Sequence, residues 1–173
     1  MLRSTTGNDM TNTSTITRRD MLAAMLRTIA TSSIVSAIVP NAVRAQTSTI
    51  ALTVYKDASC MCCTKWVAHM RENGFAATVV DRADMSALKD SMGIPEPLRS
   101  CHTAVAGKYL IEGHVPAVDV KRLFATAPKG VVGLAAPGMP NGSPGMEGSR
   151  MADQYSVIAF SANGATNVFA RHG

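Results

Sequence analysis

Three of the four residues 60–63 are cysteines (Cys-Met-Cys-Cys), and this cluster constrains the chain more than any other segment. The cluster follows a short apolar run, residues 50–55, which predicts a buried strand, and a turn-like tetrapeptide separates the two. Helix-favouring residues begin at Thr64. The cysteines are therefore expected at the turn between a first strand and a first helix, where unpaired backbone N–H groups and the helix dipole favour thiolate over thiol.

The first 45 residues resemble an export signal rather than part of a fold. Residues 17–22 (Thr-Arg-Arg-Asp-Met-Leu) resemble the twin-arginine motif, and an apolar segment follows as far as Pro40. An uncleaved anchor is the alternative, but the apolar run over residues 28–39 is shorter than the roughly 20 residues that span a bilayer. We therefore expect residues 1–45 to be a twin-arginine-type signal and residues 46–173 to be a single periplasmic domain, free of the membrane once the signal is removed.

The net charge of that domain argues against several classes of partner. The whole chain has 17 basic and 12 acidic residues, but five of the former and two of the latter lie in the signal, which leaves a charge of +2. A charge this small predicts neither a nucleic acid nor an acidic membrane as partner. The domain is also large enough to bury a core without disulfide staples. Two structural disulfides are the alternative use of the cysteines, and the adjacent Cys62 and Cys63 make such a framework awkward.

Hydrophobic patterning and helix end signals predict the order β-α-β-α-β-β-α. Residues 128–148 are rich in Gly and Pro and lack periodicity, which predicts an irregular loop. Residues 155–160 and 166–169 predict a closing β-hairpin. The order matches the thioredoxin-like arrangement, so we expect an α/β thioredoxin-like core with an irregular Gly/Pro loop and a C-terminal hairpin. The predicted strands of the core are residues 50–55, 75–80, 103–106 and 108–111, and its helices are residues 64–73, 84–91 and 116–126.

The cysteine cluster suits soft metal chemistry. Cys60 and Cys63 form a C-x-x-C pair that fits thiol exchange as well as metal binding, and Cys62 adds a third sulfur that favours a soft ion. On an ideal helix Cys62 points away from the other two, so either the turn is non-helical through Met61 or the sulfurs bridge more than one ion. We expect a small, thiolate-bridged Cu(I) cluster. Zinc is a weaker fit because its structural sites show two separated ligand pairs, and an iron–sulfur centre is a third option.

A fourth cysteine, Cys101, lies far along the chain and next to His102. In a thioredoxin-like core the loop before the third strand faces the N-terminus of the first helix, so the Cys101 sulfur is expected to join the other three. An extended backbone would point Cys101 and His102 to opposite sides. We therefore favour Cys101 as the metal ligand and His102 as a candidate accessory ligand. His114, which follows the fourth predicted strand, is a second accessory candidate, with a local structural role as the alternative.

Two methionines in the Gly/Pro-rich loop are further candidates. The tripeptide Pro-Gly-Met occurs at residues 137–139 and again at residues 144–146. The thioethers of Met139 and Met146 would suit weak, exchangeable Cu(I) binding by a loop that covers the site, and incidental methionines in a connector are the alternative. His69 lies seven residues after Cys62, roughly 10 Å along a helix axis, so we expect it to pack or to face solvent.

Three blocks of the chain, residues 60–75, 93–117 and 133–147, resemble the CopG-like family of exported bacterial metal-binding proteins associated with copper resistance. The resemblance implies a thioredoxin-like domain, copper binding and periplasmic residence. It also implies that Cys60, Cys62, Cys63 and Cys101 are the metal-binding sulfurs. Met61 stands where the family usually has glycine.

Two classes of function follow. The first is a periplasmic protein that sequesters, relays or redox-converts Cu(I)/Cu(II), with copper ions and other periplasmic copper-handling proteins as its expected partners; whether it turns over as a copper oxidoreductase stays open. The second is a thiol–disulfide oxidoreductase that uses Cys60 and Cys63, with Cys62 and Cys101 as resolving or regulatory thiols. The sequence has no convincing Ser/His/Asp or phosphate-cradling motif, so hydrolytic and nucleotide chemistry are unsupported and we assign no catalytic residue.

Overall fold

The computed structural model describes residues 49–173, and the predicted export signal in residues 1–45 lies outside them. The described residues form a mixed α/β unit with seven strands and three α-helices. No helix among these residues is long and apolar enough to cross a membrane. In chain order the elements are β1 Ile50–Lys56, α1 Met61–Glu72, β2 Phe75–Asp81, α2 Met85–Ser91, a 3-10 turn at Glu96–Leu98, β3 His102–Ala106, β4 Tyr109–Gly113, α3 Ala117–Thr126, β5 Val131–Ala136, β6 Tyr155–Ser161 and β7 Thr166–His172.

The helix boundaries follow from local capping chemistry. The Asp84 carboxylate accepts a hydrogen bond of 2.9 Å from the backbone N–H of Ala87 and so caps α2. Pro116 precedes α3, where its fixed φ fits the entry of the chain into the helix. Gly74, with φ of +85°, ends α1 as its sequence position predicts. The largest difference from the predicted helix boundaries is at the start of α1, which begins at Met61 rather than Thr64, whereas the others differ by at most one residue.

The seven strands form one sheet in the order β2-β1-β3-β4-β5-β6-β7. Pairs β1–β2 and β4–β5 are parallel, and each is joined through a helix, as a parallel pair requires; the other neighbours are antiparallel. Strand β5 corrects the prediction of an irregular loop over residues 128–148. Its sequence, VVGLAA, is a continuous apolar run in the middle of the sheet, and such a strand lacks the alternation that marks a half-exposed one.

The predicted C-terminal hairpin is present as β6 and β7, and β5 provides its place in the fold. Strand β5 pairs with β4 on one side and with β6 on the other, so the hairpin continues the main sheet instead of packing across it. Apolar side chains cover both faces of the sheet. Trp66 and Leu123 belong to the larger core on one face, whereas Ile94 and Phe160 belong to a smaller cluster of their own.

The register of the sheet brings four strand ends to one edge. Lys56 at the end of β1 pairs with His102 at the start of β3, and Gly113 at the end of β4 pairs with Ala136 at the end of β5. Strands β3 and β4 are antiparallel neighbours, so the start of β3 lies beside the end of β4. The segments that follow β1, β4 and β5 and the segment that precedes β3 therefore meet at this edge.

The loop after β5 passes directly over the first turn of α1 at Gly145. A Cβ atom on Gly145 would lie 2.7 Å from the Cys62 carbonyl oxygen and 2.8 Å from the Trp66 amide nitrogen. Contacts this short do not occur between real Cβ atoms and backbone, so only glycine allows the loop to approach the helix so closely. Gly145 also has φ of +86°, a conformation that glycine adopts without strain.

We predict that Gly145→Ala lowers the free energy of unfolding by about 1–3 kcal/mol more than Gly164→Ala does. Gly164 is a matched control because its φ of +81° imposes a similar backbone strain, while a Cβ there would meet nothing within 4 Å. The difference between the two variants isolates the close approach of the loop to α1. Urea unfolding followed by circular dichroism measures it, and equal losses in both variants would contradict the loop contact.

Candidate metal centre

A short turn between β1 and α1 places the first cysteine. The Asp57 side chain accepts hydrogen bonds from the Ser59 backbone N–H at 2.8 Å and from the Ser59 hydroxyl, and these bonds lower the pKa of Asp57. The Lys56 ammonium, which is 6% exposed, donates to the Asp57 carbonyl at 2.9 Å. The Cys60 amide then donates to the same carbonyl at 3.0 Å. The turn is thus held by its own polar groups, and Cys60 begins the helix in one defined position.

Cys60 is the N-cap of α1, and this explains how three sulfurs so close in sequence can converge. Its φ of −72° and ψ of 96° are extended, while Met61 and the residues after it are helical. On an ideal helix Cys62 would point away from Cys60, but the Cys60 side chain lies outside the helical periodicity. The Sγ atoms of Cys60 and Cys62 lie 3.5 Å apart.

The structure also joins Cys60 to Cys63 in a disulfide. Cys63 is fully buried at the base of the cluster, whereas Cys62 is half-buried and carries a free thiol. The C-x-x-C pair is therefore in its oxidised form, and the thiol of Cys62, the third cysteine of the cluster, is free. The same four residues can present either one thiol or three, depending on the redox state of the pair.

Cys101 joins the cluster from the segment that precedes β3. Its Sγ atom lies 4.0 Å from the Sγ atom of Cys62. The sulfur atoms of Cys60, Cys62, Cys63 and Cys101 all lie within 4.8 Å of one another. Four sulfurs from two distant parts of the sequence thus occupy a volume in which thiolates can share soft metal ions.

Burial disfavours a free thiolate on Cys101 in the metal-free protein. Desolvation first, and then the neighbouring Cys62, raise the pKa of Cys101 to about 12. A metal cation in the cluster would reverse this effect, because coordination deprotonates a thiol outright. The Cys101 sulfur is thus a neutral thiol when free and a metal-binding thiolate only together with a cation.

Two histidines lie on the other side of Cys101 and form a second group of donor atoms. The Cys101 Sγ atom is 3.0 Å from His114 Nε2 and 3.4 Å from His102 Nδ1. Both histidines are fully buried, and burial is the main cause that lowers the pKa of each. Both are therefore neutral near pH 7, which is the form that binds metals. Cys101, His102 and His114 form a candidate metal group of their own, which shares Cys101 with the four sulfurs.

The environment of His114 defines its tautomer. Its Nδ1 atom lies 2.8 Å from the carbonyl oxygen of Pro144, an atom that can only accept, so Nδ1 carries the proton. The Nε2 lone pair consequently faces Cys101. This arrangement, in which a backbone carbonyl orients an imidazole toward a site, is the usual outer support of a metal-binding histidine.

The extended backbone that would point Cys101 and His102 to opposite sides does not include Cys101. Cys101 lies in a bend just before β3 begins, so the alternation of an extended strand does not apply to the pair. His102 packs against Trp66 with ring centroids 4.4 Å apart and against His114 at 5.0 Å. Within the described part of the chain, His102 Nε2 is one of two buried polar side-chain atoms that have no hydrogen-bond partner.

The two loop methionines differ in their surroundings. Met146 lines a cleft of about 330 Å³ together with Met61 and Cys62, one of the four cysteines. Met139 is 55% exposed and is not among the residues that line this cleft. Met61 is 70% exposed at the first turn of α1. Of the two methionines, Met146 is therefore the one that shares this cleft with a cysteine, and its role as a ligand stays a prediction.

Sequence reasoning missed two groups that support the site. The Pro144 carbonyl orients His114, and the buried Glu112 carboxylate accepts a hydrogen bond from the backbone N–H of Ser100, next to Cys101. Glu112 is a charged residue inside a strongly apolar strand, and that mismatch was the available signal. His69 has the structural role expected of it, because its Nε2 atom accepts a hydrogen bond of 3.1 Å from the backbone N–H of Ala117 at the start of α3.

Comparisons with known proteins agree with this geometry. The family described as "Protein of unknown function, DUF411" matches residues 98–146, which include Cys101, both histidines and both loop methionines. No curated protein matches the chain. Two solved structures do. The one titled "Copper resistance protein copG- Form 2" is 42% identical, with a TM-score of 0.69 over 72% of this chain and 99% of that chain. The one titled "Copper resistance protein copG- Form 1" is 43% identical, with a TM-score of 0.68 over 72% of this chain and 98% of that chain.

An identity above 40% over nearly the whole of those two chains is far more than a shared fold requires. The matched region includes a cysteine cluster whose donor atoms lie close enough together to bind metal. The chain therefore belongs to the family of the copper resistance protein CopG.

Proposed function

We propose that this protein binds copper in the bacterial periplasm and sequesters, relays or redox-converts it as part of copper resistance. The observation that carries the proposal is the convergence of four cysteine sulfurs within 4.8 Å of one another. Soft thiolate ligands select Cu(I) over harder ions, and sulfurs this close can bridge several ions. The titles of the similar structures name copper resistance, which supports copper rather than zinc as the cargo.

The two overlapping donor groups support a redox role. Cys60, Cys62 and Cys63 offer sulfur alone, which favours Cu(I), whereas His102 and His114 add the imidazole nitrogens that Cu(II) accepts. Cys101 belongs to both groups. Reduction of the Cys60–Cys63 disulfide takes up two electrons, the number released when two Cu(I) ions become Cu(II). The disulfide can therefore accept the two electrons that two Cu(I) ions release, so this redox exchange balances within one cluster.

The remaining parts of the proposal concern fold type and location. The order β2-β1-β3-β4 with its mixed pairing, and a cysteine pair at the start of α1, support a thioredoxin-like core to which β5, β6 and β7 are added. The twin-arginine-type motif in residues 17–22 supports export to the periplasm. Copper ions and periplasmic copper-handling proteins are the proposed partners.

A second candidate function is thiol–disulfide exchange by Cys60 and Cys63. The disulfide between these two residues at the N-terminus of a helix favours it, because this is the setting in which a C-x-x-C pair exchanges with other thiols. Cys63 is fully buried, so the half-buried Cys60 would be the attacking sulfur.

Copper stoichiometry tests the main proposal. We predict that the protein, reduced and purified without oxygen, binds more than one Cu(I) per chain, and that Cys62→Ser or Cys101→Ser lowers this number by at least one ion. Met151→Leu is the matched control, because it removes a sulfur that is 91% exposed and should leave the number unchanged. Metal analysis after gel filtration measures the ratio. Unchanged loading in both cysteine variants would refute the shared cluster.

The histidines provide a separate prediction. We expect His114→Asn to leave Cu(I) loading nearly intact but to reduce, about tenfold or more, the copper retained after oxidation to Cu(II), because an imidazole ligand is lost. His172→Asn is the control, since His172 is a half-buried histidine that pairs with Asp119 instead. Electron paramagnetic resonance quantifies the bound Cu(II). Equal retention in both variants would exclude His114 as a ligand.

The second candidate predicts a different pattern of mutational effects. If the protein is an oxidoreductase, reduction of a disulfide substrate should fall by a factor of about 100 or more in Cys60→Ser and stay unchanged in Cys101→Ser. If copper binding is the function, as we propose, we expect the parent protein itself to reduce the disulfide substrate at a negligible rate. An insulin reduction assay with a dithiol reductant decides between the two functions.

A further inference from the structure

The carboxylate of Glu112 is buried and accepts a hydrogen bond from Ser100, the residue that precedes the copper-site candidate Cys101. Glu112 is fully buried in β4, and both of its oxygens have partners. Oε1 accepts from the Lys89 ammonium at 2.5 Å and from the Ser100 backbone N–H at 2.7 Å, and Oε2 accepts from the Thr103 hydroxyl at 2.5 Å. Lys89 also donates to the Thr103 hydroxyl at 2.9 Å. These four residues form a closed polar network.

A network of this kind is unusual in a core. Lys89 in α2 is 4% exposed, and the pair is removed from water almost completely. Burying two charges costs several kcal/mol per ion, and their attraction only offsets that cost when the geometry and the additional hydrogen bonds are good. Replacing a buried ion pair by apolar residues of similar volume is often neutral or stabilising. The charges therefore call for a reason other than the stability of the core.

The partners of Glu112 point to that reason. Ser100 and Thr103 lie on either side of the Cys101–His102 dipeptide, so one carboxylate holds both ends of the segment that carries the fourth sulfur. The Ser100 hydroxyl also donates to the Gly138 carbonyl. Gly113 lies so close that a Cβ on it would be 2.5 Å from the Ser100 Cβ. The bend before β3 is thus restrained by β4, by α2 and by the loop after β5.

We propose that Glu112, charge-balanced by Lys89, is the positioning residue that holds the Cys101 sulfur against Cys62. The bond from the Ser100 N–H to Oε1 fixes the bend, and the Lys89 ammonium, which donates to the same Oε1 atom, holds the carboxylate in that orientation. The importance of this placement for copper rests on the proposed function. The placement itself depends only on the described contacts.

The distance between the two free thiols offers a readout that does not need copper. In a Cys60→Ser/Cys63→Ser background, Cys62 and Cys101 are the remaining cysteines. Glutathione disulfide oxidises them: the two thiols lose two electrons and two protons and form one S–S bond, and glutathione disulfide takes these up and is cleaved to two glutathione molecules. The equilibrium constant of this exchange reports how closely the fold holds the two sulfurs.

Four variants in that background separate positioning from general stability. Lys89→Met/Glu112→Leu removes both the charge pair and the acceptor of the Ser100 N–H. Lys89→Met/Glu112→Gln removes the charges and keeps an amide oxygen as acceptor. Glu112→Asp keeps the charge and shortens the side chain by one methylene, so the carboxylate should not reach the Ser100 N–H and the Thr103 hydroxyl at the same time. Ile111→Val is the stability control, because Ile111 is fully buried in the neighbouring position of β4 and belongs to the main core.

We expect the Leu-containing variant to lower the equilibrium constant at least tenfold, which corresponds to about 30 mV in the two-electron potential. The Gln-containing variant and Ile111→Val should stay within about twofold of the parent. A folded Leu-containing variant with an unchanged constant would overturn the proposal, as would shifts that merely follow the loss of stability in all variants. If the Leu-containing chain does not fold, Glu112→Asp decides the question. A threefold or larger decrease of its equilibrium constant supports the positioning role, and no decrease overturns it.

Cu(I) loading of Lys89→Met/Glu112→Leu and Lys89→Met/Glu112→Gln, now with all four cysteines present, keeps this inference separate from the proposed function. If the parent protein binds no Cu(I) while the glutathione equilibrium shifts as expected, the copper function fails and the positioning role of Glu112 stands. If the parent binds Cu(I) and the Leu-containing variant matches it in both loading and thiol equilibrium, the positioning role fails and the copper function stands.

Discussion

The antiparallel pairing of β1 with β3 is the interaction on which the rest of the site depends. Because Lys56 pairs with His102, the turn that carries the cysteine cluster and the bend that carries Cys101 leave the sheet at the same edge. The burial of the β3 side chains determines this register, because a shift by one residue would turn every side chain of β3 to the opposite face. The distance of 4.0 Å between the Sγ atoms of Cys62 and Cys101 is therefore a consequence of strand pairing.

Groups that surround the site then restrain the positions of the donor atoms. Trp66 packs against His102 and donates a hydrogen bond of 2.9 Å from its indole N–H to the Val115 carbonyl, so α1 and the segment that follows β4 are held together. The Pro144 carbonyl orients His114, and Glu112 restrains the bend before Cys101. Trp66 and Glu112 are fully buried, so their hydrogen bonds are made in a low dielectric and are costly to lose. The candidate donor atoms are thus held in place by neighbours that are not themselves candidate ligands.

Much of this arrangement could be predicted from local signals, and the errors have identifiable causes. The first strand, the capping of α2 by Asp84 and the hairpin of β3 and β4 follow from short-range patterns, and all three are present. Strand β5 was missed because a centrally buried strand has no polar alternation. The side chains of Cys60 and Cys101 were placed by ideal helix and strand periodicity, but one is an N-cap and the other lies in a bend.

The sequence by itself determined which donor atoms the candidate site can offer, namely cysteine sulfurs crowded at a helix start and the nitrogen atoms of a few histidines. It also determined most of the elements, because capping and periodicity act over a few residues. Only the tertiary structure decided which donors meet, that Cys60 and Cys63 are joined while Cys62 and Cys101 stay free, and that a buried carboxylate lies behind Cys101. These features depend on contacts between residues far apart in the chain, and strand register and burial, which create such contacts, exist only once the whole sheet has formed.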